Sequence, residues 1–181
     1  SRVPVDKVMI GVPIAALAAA STPSRARPNR RCARSGWIML KVPDTAAIVL
    51  PPPRRSVGMA LSQALQRRES KREFDPAALD EQVLSDLLWS AAGINRPEVG
   101  GRTAPSAMNS QEVHLHVAMP QGLFRYEPTG HSLQLAVASD VRRVTGYQDF
   151  VDTAPLDLVY VADHAHMKLV PVAQRDRYAF A

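Results

Sequence analysis

"EVHLHVAMPQGLFRYEPTGHSLQLAV", residues 112–137, holds three short apolar runs separated by two turn signals. Val113, Leu115, Val117 and Met119 recur at every second position against His114 and His116, the period of a half-buried strand. Pro120-Gln121-Gly122 turns the chain into "LFRYE", and Pro128-Thr129-Gly130 turns that into "SLQLAV". The pattern predicts an antiparallel meander.

Helical patterns lie upstream of it. In "DPAALDEQVLSDLLWSAAG" (75–93), Val83, Leu84, Leu87, Leu88, Ala91 and Ala92 share one face; Asp80 is placed to cap the start and Gly93 to stop the end. Trp89 lies beside that face and reads as packing. "MALSQALQRRES" (59–70) predicts a short helix that delivers Arg67 and Arg68 at its end, after an extended lead-in over the prolines of "LPPPRRSVG" (50–58). "INRPEVGGRTA" (94–104) reads as a loop, and Pro105 suits the first turn of a brief helix. Downstream, "SDVRRVTG" (139–146) reads as a capped helical turn, "LDLVYVAD" (156–163) as a buried strand, and the last residues as the start of another helix. Helices, a meander, then a turn and a further strand make an α+β domain.

Charge divides the chain. Residues 1–72 hold 14 Lys/Arg against 3 Asp/Glu, whereas residues 73–181 hold 8 against 14, so the net charge of +5 belongs to the front segment. That segment contains eight of the fifteen prolines by residue 53, and "STPSRARPNRRCARSG" has no helical or strand period. Residues 1–49 are therefore expected to be tail or linker and residues 50–181 the folded domain. Residues 7–22, with a basic residue, an apolar run and an Ala-x-Ala arrangement, resemble a secretory signal, although Asp6, Gly11 and Pro13 interrupt the pattern. The cytoplasm is the favoured compartment, with export through that segment the alternative. No run is long enough to span a membrane as a helix. Cys32 is the only cysteine, which excludes an intrachain disulfide. A basic arm without interleaved aromatics gives no ground for a nucleic-acid partner.

Two segments carry chemistry. In "RRESKREF" (67–74), Arg68, Ser70 and Arg72 stand two apart, so an extended backbone points two guanidinium forks and a hydroxyl to one side, a set suited to phosphate. The plainer interpretation is a solvated charge run. In "RTAPSAMNSQ" (102–111), a turn begun by Pro105 offers backbone N–H groups, and Asn109 adds a donor and an acceptor for a planar heterocycle. Here the plainer interpretation is a capped helix start with Asn109 and Gln111 facing water.

Taken together, the R-x-S-x-R cluster and the P-S-x-x-N-x-Q turn entering a strand resemble the nitroreductase family of flavin mononucleotide (FMN) enzymes. "LLWSAAGINRP", "GLFRYEP" and "VTGYQDFVDTAPLDLVYVAD" are similar to its nitroreductase-like dehydrogenase branch, and the resemblance covers residues 50–181. It implies a three-layer α-β-α fold with a mainly antiparallel sheet, and a homodimer holding FMN at the subunit interface. NAD(P)H would deliver hydride to the flavin, and a nitro, quinone or similar small-molecule acceptor would then take the electrons in a ping-pong cycle. By the same resemblance Arg68 and Arg72 bind the phosphate or the polar ring edge, and Ser70 the phosphate and ribityl side. Pro105, Ser106 and Ala107 line the flavin, while Asn109 and Gln111 belong to the motif that meets its ribityl or pyrimidine portion. No catalytic acid, base or nucleophile is implied.

Family members continue past a segment like "RYAFA" with a glycine-containing helix, a Gln-Asn pair and a C-terminal basic residue that completes the phosphate site. The chain is accordingly expected to be the N-terminal portion of such an enzyme and, alone, to bind FMN poorly. The alternative is a non-catalytic homologue serving as a binding module. His114/His116 and His164/His166 form two i, i+2 pairs, read as solvent-facing, so no metal site is expected. A Gly-rich phosphate loop, a Gly-x-Ser-x-Gly elbow and a cysteine pair are all missing from these residues, which leaves nucleotide hydrolysis, esterase and thiol redox chemistry without support.

Overall fold

A computed structural model describes residues 7–13, 47–56, 58–75 and 77–179, with the first of these segments described by its backbone alone. The remainder of the signal-like stretch, most of the expected linker and Cys32 lie outside the described residues. In chain order the regular elements are β1 (Lys7–Pro13), β2 (Ile48–Val49), α1 (Leu61–Arg67), α2 (Glu81–Ala92), β3 (Ile94–Arg96), β4 (Gly101–Arg102), β5 (Val113–Met119), β6 (Gly122–Glu127), β7 (Ser132–Val137), β8 (Asp157–Asp163) and α3 (Arg175–Ala179).

Six strands form one antiparallel sheet in the order β1-β8-β5-β6-β7-β2. The meander occupies β5, β6 and β7, as its alternation predicts. Met119 pairs with Gly122 across a two-residue turn, and Glu127 pairs with Ser132 across a longer one. Gly122 has φ of 150°, and a Cβ there would lie 2.5 Å from the Val137 carbonyl oxygen, so the first turn admits only glycine without rearrangement. β8 returns beside β5 with His116 opposite Val159. Lys7–Pro13, from the segment expected to be a tail, runs antiparallel to β8 with Lys7 opposite Asp163 and Pro13 opposite Asp157. Its proline is at the end of an edge strand, where a missing N–H costs no ladder bond.

α2 begins where Asp80 accepts hydrogen bonds from the Gln82 and Val83 amides, satisfying two of the donors exposed at a helix start. It ends at Gly93, whose N–H donates to the Trp89 carbonyl; a Cβ on Gly93 would collide with the Trp89 ring at 2.3 Å. Its Leu84, Leu88 and Ala92 share a core with Leu115, Val117, Phe124, Tyr126, Leu133, Leu156 and Leu158 from the sheet. Ser85 is buried on the same helix and is described below. By contrast, α1 buries nothing: Leu61 is 75% exposed and Leu65 63%.

Three local expectations change. Residues 94–102, read as a loop, contain the β3–β4 hairpin, with Ile94 opposite Arg102 and the Arg96 guanidinium donating to the Arg102 carbonyl at 3.2 Å. Strands this short leave no apolar period, and Pro97, Gly100 and Gly101 read as pure punctuation. The brief helix expected after Pro105 is a single 3-10 turn, Ala107–Asn109, broken by left-handed backbone at Met108. The turn at residues 139–146 is also 3-10, Arg142–Val144, preceded by Asp140, which accepts from the Arg142 amide at 3.1 Å.

Candidate functional site

The first polar segment leaves α1 at Arg68, whose extended backbone (φ −64°, ψ 122°) ends the helix. Arg68, Ser70 and Arg72 are all exposed, and between them Glu69 and Lys71 pair with each other at 2.9 Å. The Arg72 guanidinium lies 6.0 Å from the centre of the Phe150 ring, and Phe74 lies 6.0 Å from the same ring, so Phe150 anchors the far end of the segment. Among the described residues no hydrogen bond or ion pair engages the side chains of Arg68 or Ser70.

The second segment, residues 105–111, is held from beneath. The Ser106 hydroxyl donates to the carboxylate of buried Glu112 at 2.7 Å and accepts from the Gln111 amide at 2.8 Å. The Gln111 side-chain amide donates to the Gly100 carbonyl at 2.9 Å and to Asn109 Oδ1 at 3.1 Å. Among the described residues no hydrogen bond engages the Asn109 NH2 or Gln111 Oε1, a donor group and an acceptor on one turn. Met108, Asn109 and Gln111 all have φ near +50°. For Met and Gln that backbone costs on the order of 1–2 kcal/mol each, which the Ser106, Glu112 and Gly100 contacts offset. Asn109, Ser110, His166 and Lys168 line an open hollow of about 420 Å³ beside the turn.

The structure thus brings the residues of each motif together but joins neither motif to the other. Among the described residues no hydrogen bond, ion pair or ring contact connects residues 68–72 with residues 105–111. Pro105 precedes the turn and is exposed, and Ala107 begins it, half-buried.

Two further clusters carry no sequence motif. Ser85, His131 and Tyr126 form a chain in which the Ser85 hydroxyl donates to the Pro51 carbonyl at 2.6 Å and contacts His131 Nε2 at 2.7 Å. Tyr126 Oη lies 2.8 Å from His131 Nδ1. Because Ser85 donates to Pro51, His131 Nε2 carries the hydrogen and Nδ1 accepts from Tyr126. Burial pushes Tyr126 up to about 12 and lowers His131, keeping both neutral. The network ties the lead-in to α2 and the meander, and Ser85 is fully buried, so its role is structural.

In the second cluster His114, Asp163 and His166 converge. His114 is only 12% exposed, contrary to the expectation that it faces solvent. Arg125, Asp163 and His166 pack against its ring and cover it. Burial first, then Arg125 and His166, push His114 down to about 4, so its imidazole is neutral at neutral pH. The two histidine pairs at i, i+2 were the available sequence signal, yet only one member of each pair joins this cluster, and Asp163 had no part in that pattern.

No helix of the described residues is long and apolar enough to cross a membrane. A search of curated proteins yields no significant match. The family model for the nitroreductase family matches residues 65–181. The fold is similar to a crystal structure of a candidate nitroreductase from Ralstonia eutropha JMP134, with 49% sequence identity and a TM-score of 0.69 over 74% of this chain. The chain spans 64% of the length of that protein. With strands β5 to β8, α2 and both polar segments inside a match covering more than half its length, the chain belongs to the nitroreductase family.

Proposed function

We propose that this chain supplies the flavin-binding part of an FMN-dependent NAD(P)H oxidoreductase of nitroreductase type, assembled as a homodimer. Residues 50–181 form the nitroreductase-like domain, with β1 and β2 as edge strands drawn from residues 1–49. The observation that carries this reading is that the two motif segments keep their ligand-type groups uncommitted. Among the described residues no hydrogen bond or ion pair engages the side chains of Arg68 or Ser70, and the Asn109 NH2 and Gln111 Oε1 are likewise unengaged in a strained, well-held turn.

The donor set fits the cofactor. Planar guanidinium forks at Arg68 and Arg72 match phosphate oxygens, and Ser70 offers a hydroxyl to the phosphate and ribityl side. The Asn109 NH2 and Gln111 Oε1 complement a ring edge that carries both carbonyls and ring nitrogens. Pro105, Ser106 and Ala107 would line the flavin, with Ser106 acting through the turn it braces. When bound, FMN supplies two-electron chemistry, taking hydride from NAD(P)H and returning electrons to a nitro, quinone or similar acceptor in ping-pong order. Hydride transfer requires no protein acid or base, so no catalytic residue is assigned.

The test is to titrate the purified chain with FMN, follow flavin absorbance and fluorescence, and assay NADH- and NADPH-dependent reduction of a quinone and a nitroaromatic. Saturable FMN binding weakened by Arg68→Ala and Arg72→Ala is expected. Affinity unchanged in both variants would overturn the assignment.

A further inference from the structure

We propose that His114, Asp163 and His166 form a binding site for one divalent transition-metal ion, with Zn2+ the best-fitting ion. The site lies outside both motif segments and does not depend on the flavin assignment. Each residue offers a ligand atom, and these atoms lie within 4.8 Å of one another. A tetrahedral zinc held at roughly 2.0–2.2 Å from each requires ligand atoms about 3.4 Å apart, so no pair has to close by more than about 1.4 Å. His166 is the exposed member of the three, and His114 Nε2 and Asp163 Oδ2, 4.0 Å apart, have about 0.6 Å to close.

Two of the three ligands are fixed by the sheet. His114 pairs with Val161 across the β5–β8 ladder, and the Asp163 amide donates to the Glu112 carbonyl at 2.8 Å. Asp163 Oδ1 accepts from the Ala165 amide at 3.0 Å, while Oδ2 faces His114 Nε2 at 4.0 Å. The same carboxylate therefore starts the 3-10 turn His164–His166 and aims its other oxygen at the first histidine. That turn presents His166 edge-on to His114, with ring centres 5.1 Å apart. Two imidazole nitrogens and one carboxylate oxygen suit Zn2+, Ni2+ or Co2+ rather than Mg2+ or Ca2+. Three protein ligands leave a fourth position for water, and His166 also lines the open hollow beside the 105–111 turn.

Arg125 opposes the ion. Arg125 Nη2 lies 3.2 Å from His114 Nδ1, so in the metal-free protein Arg125 donates to Nδ1 and the ring hydrogen sits on Nε2. Coordination through Nε2 moves that hydrogen to Nδ1, and Arg125 has to turn away. A glutamine at this position removes the competing charge and offers an acceptor to the Nδ1 hydrogen, the usual support for a metal-bound histidine.

The experiment uses the full chain, stripped with a chelator and titrated with ZnCl2 against a chromophoric competitor, with thermal unfolding measured in parallel. One Zn2+ per chain and a Tm that rises with zinc are expected. His166→Ala and Asp163→Asn should each weaken binding at least tenfold and abolish the Tm rise, while circular dichroism confirms that both remain folded. Arg125→Gln should tighten binding, whereas His164→Ala and Cys32→Ser should bind as the unsubstituted chain does. Absence of saturable one-to-one binding would overturn the proposal. So would zinc binding that survives both His166→Ala and Asp163→Asn, or that is lost in Cys32→Ser.

Discussion

Phe124 and Arg68 stand for two regions of this molecule built in opposite ways. Phe124 is fully buried in a sheet whose strands find their backbone partners within the chain and whose face is covered by α2. Arg68 sits at the open end of a helix that buries no side chain, in a segment with uncommitted donors. Elements that satisfy themselves define the fold, whereas exposed guanidinium forks and amides add little to its stability. The turn at residues 105–111 lies between the extremes: its lower side is locked by Glu112 and Gly100, and its upper side offers Asn109 and Gln111.

The contrast is open to direct attack. The largest effect belongs to the core: Phe124→Ala should cost about 3–5 kcal/mol in urea unfolding through lost burial and a cavity. Leu65→Ala on exposed α1 should change stability of the isolated chain by less than about 0.5 kcal/mol. Equal losses at the two positions would erase the distinction. For the motif segment, Arg68→Ala and Arg72→Ala should each lower FMN affinity about tenfold or more, roughly 1.5–3 kcal/mol, while leaving the urea midpoint unchanged.

The buried network gives a pH-dependent version of the same test. His131 has its folded pKa lowered by burial, so between that value and about 6.5 the unfolded chain binds the extra proton. Its contribution is fully present above pH of about 6.5 and is lost as pH falls below it, at a slope of at most about 1.4 kcal/mol per pH unit. Unfolding curves of His131→Gln should show a shallower acid dependence than the parent chain, and an identical slope would remove His131 from the account. A modest effect concerns the entry to α2: Asp80→Ala should cost about 1 kcal/mol by exposing the Gln82 and Val83 amides, read as a lower Tm.

The sequence by itself determined the meander, α2 with both of its ends, the β8 strand and the family. Each is written in a local period or in residue types whose backbone preferences act over a few positions: alternating Val113, Leu115 and Val117, the Asp80 cap, the Gly93 stop, and the spacing of Arg68, Ser70 and Arg72. Only the tertiary structure decided the rest. The β3–β4 hairpin is made by cross-strand backbone bonds that leave no side-chain period, and the left-handed turn at Met108 exists because Ser106 and Glu112 brace it. The seating of β1 against β8 and the meeting of His114 with Asp163 and His166 likewise depend on which strands become neighbours. Local propensity reports on the chain within a turn or two, whereas pairing partners, burial and convergence are decided only once the strands have become neighbours.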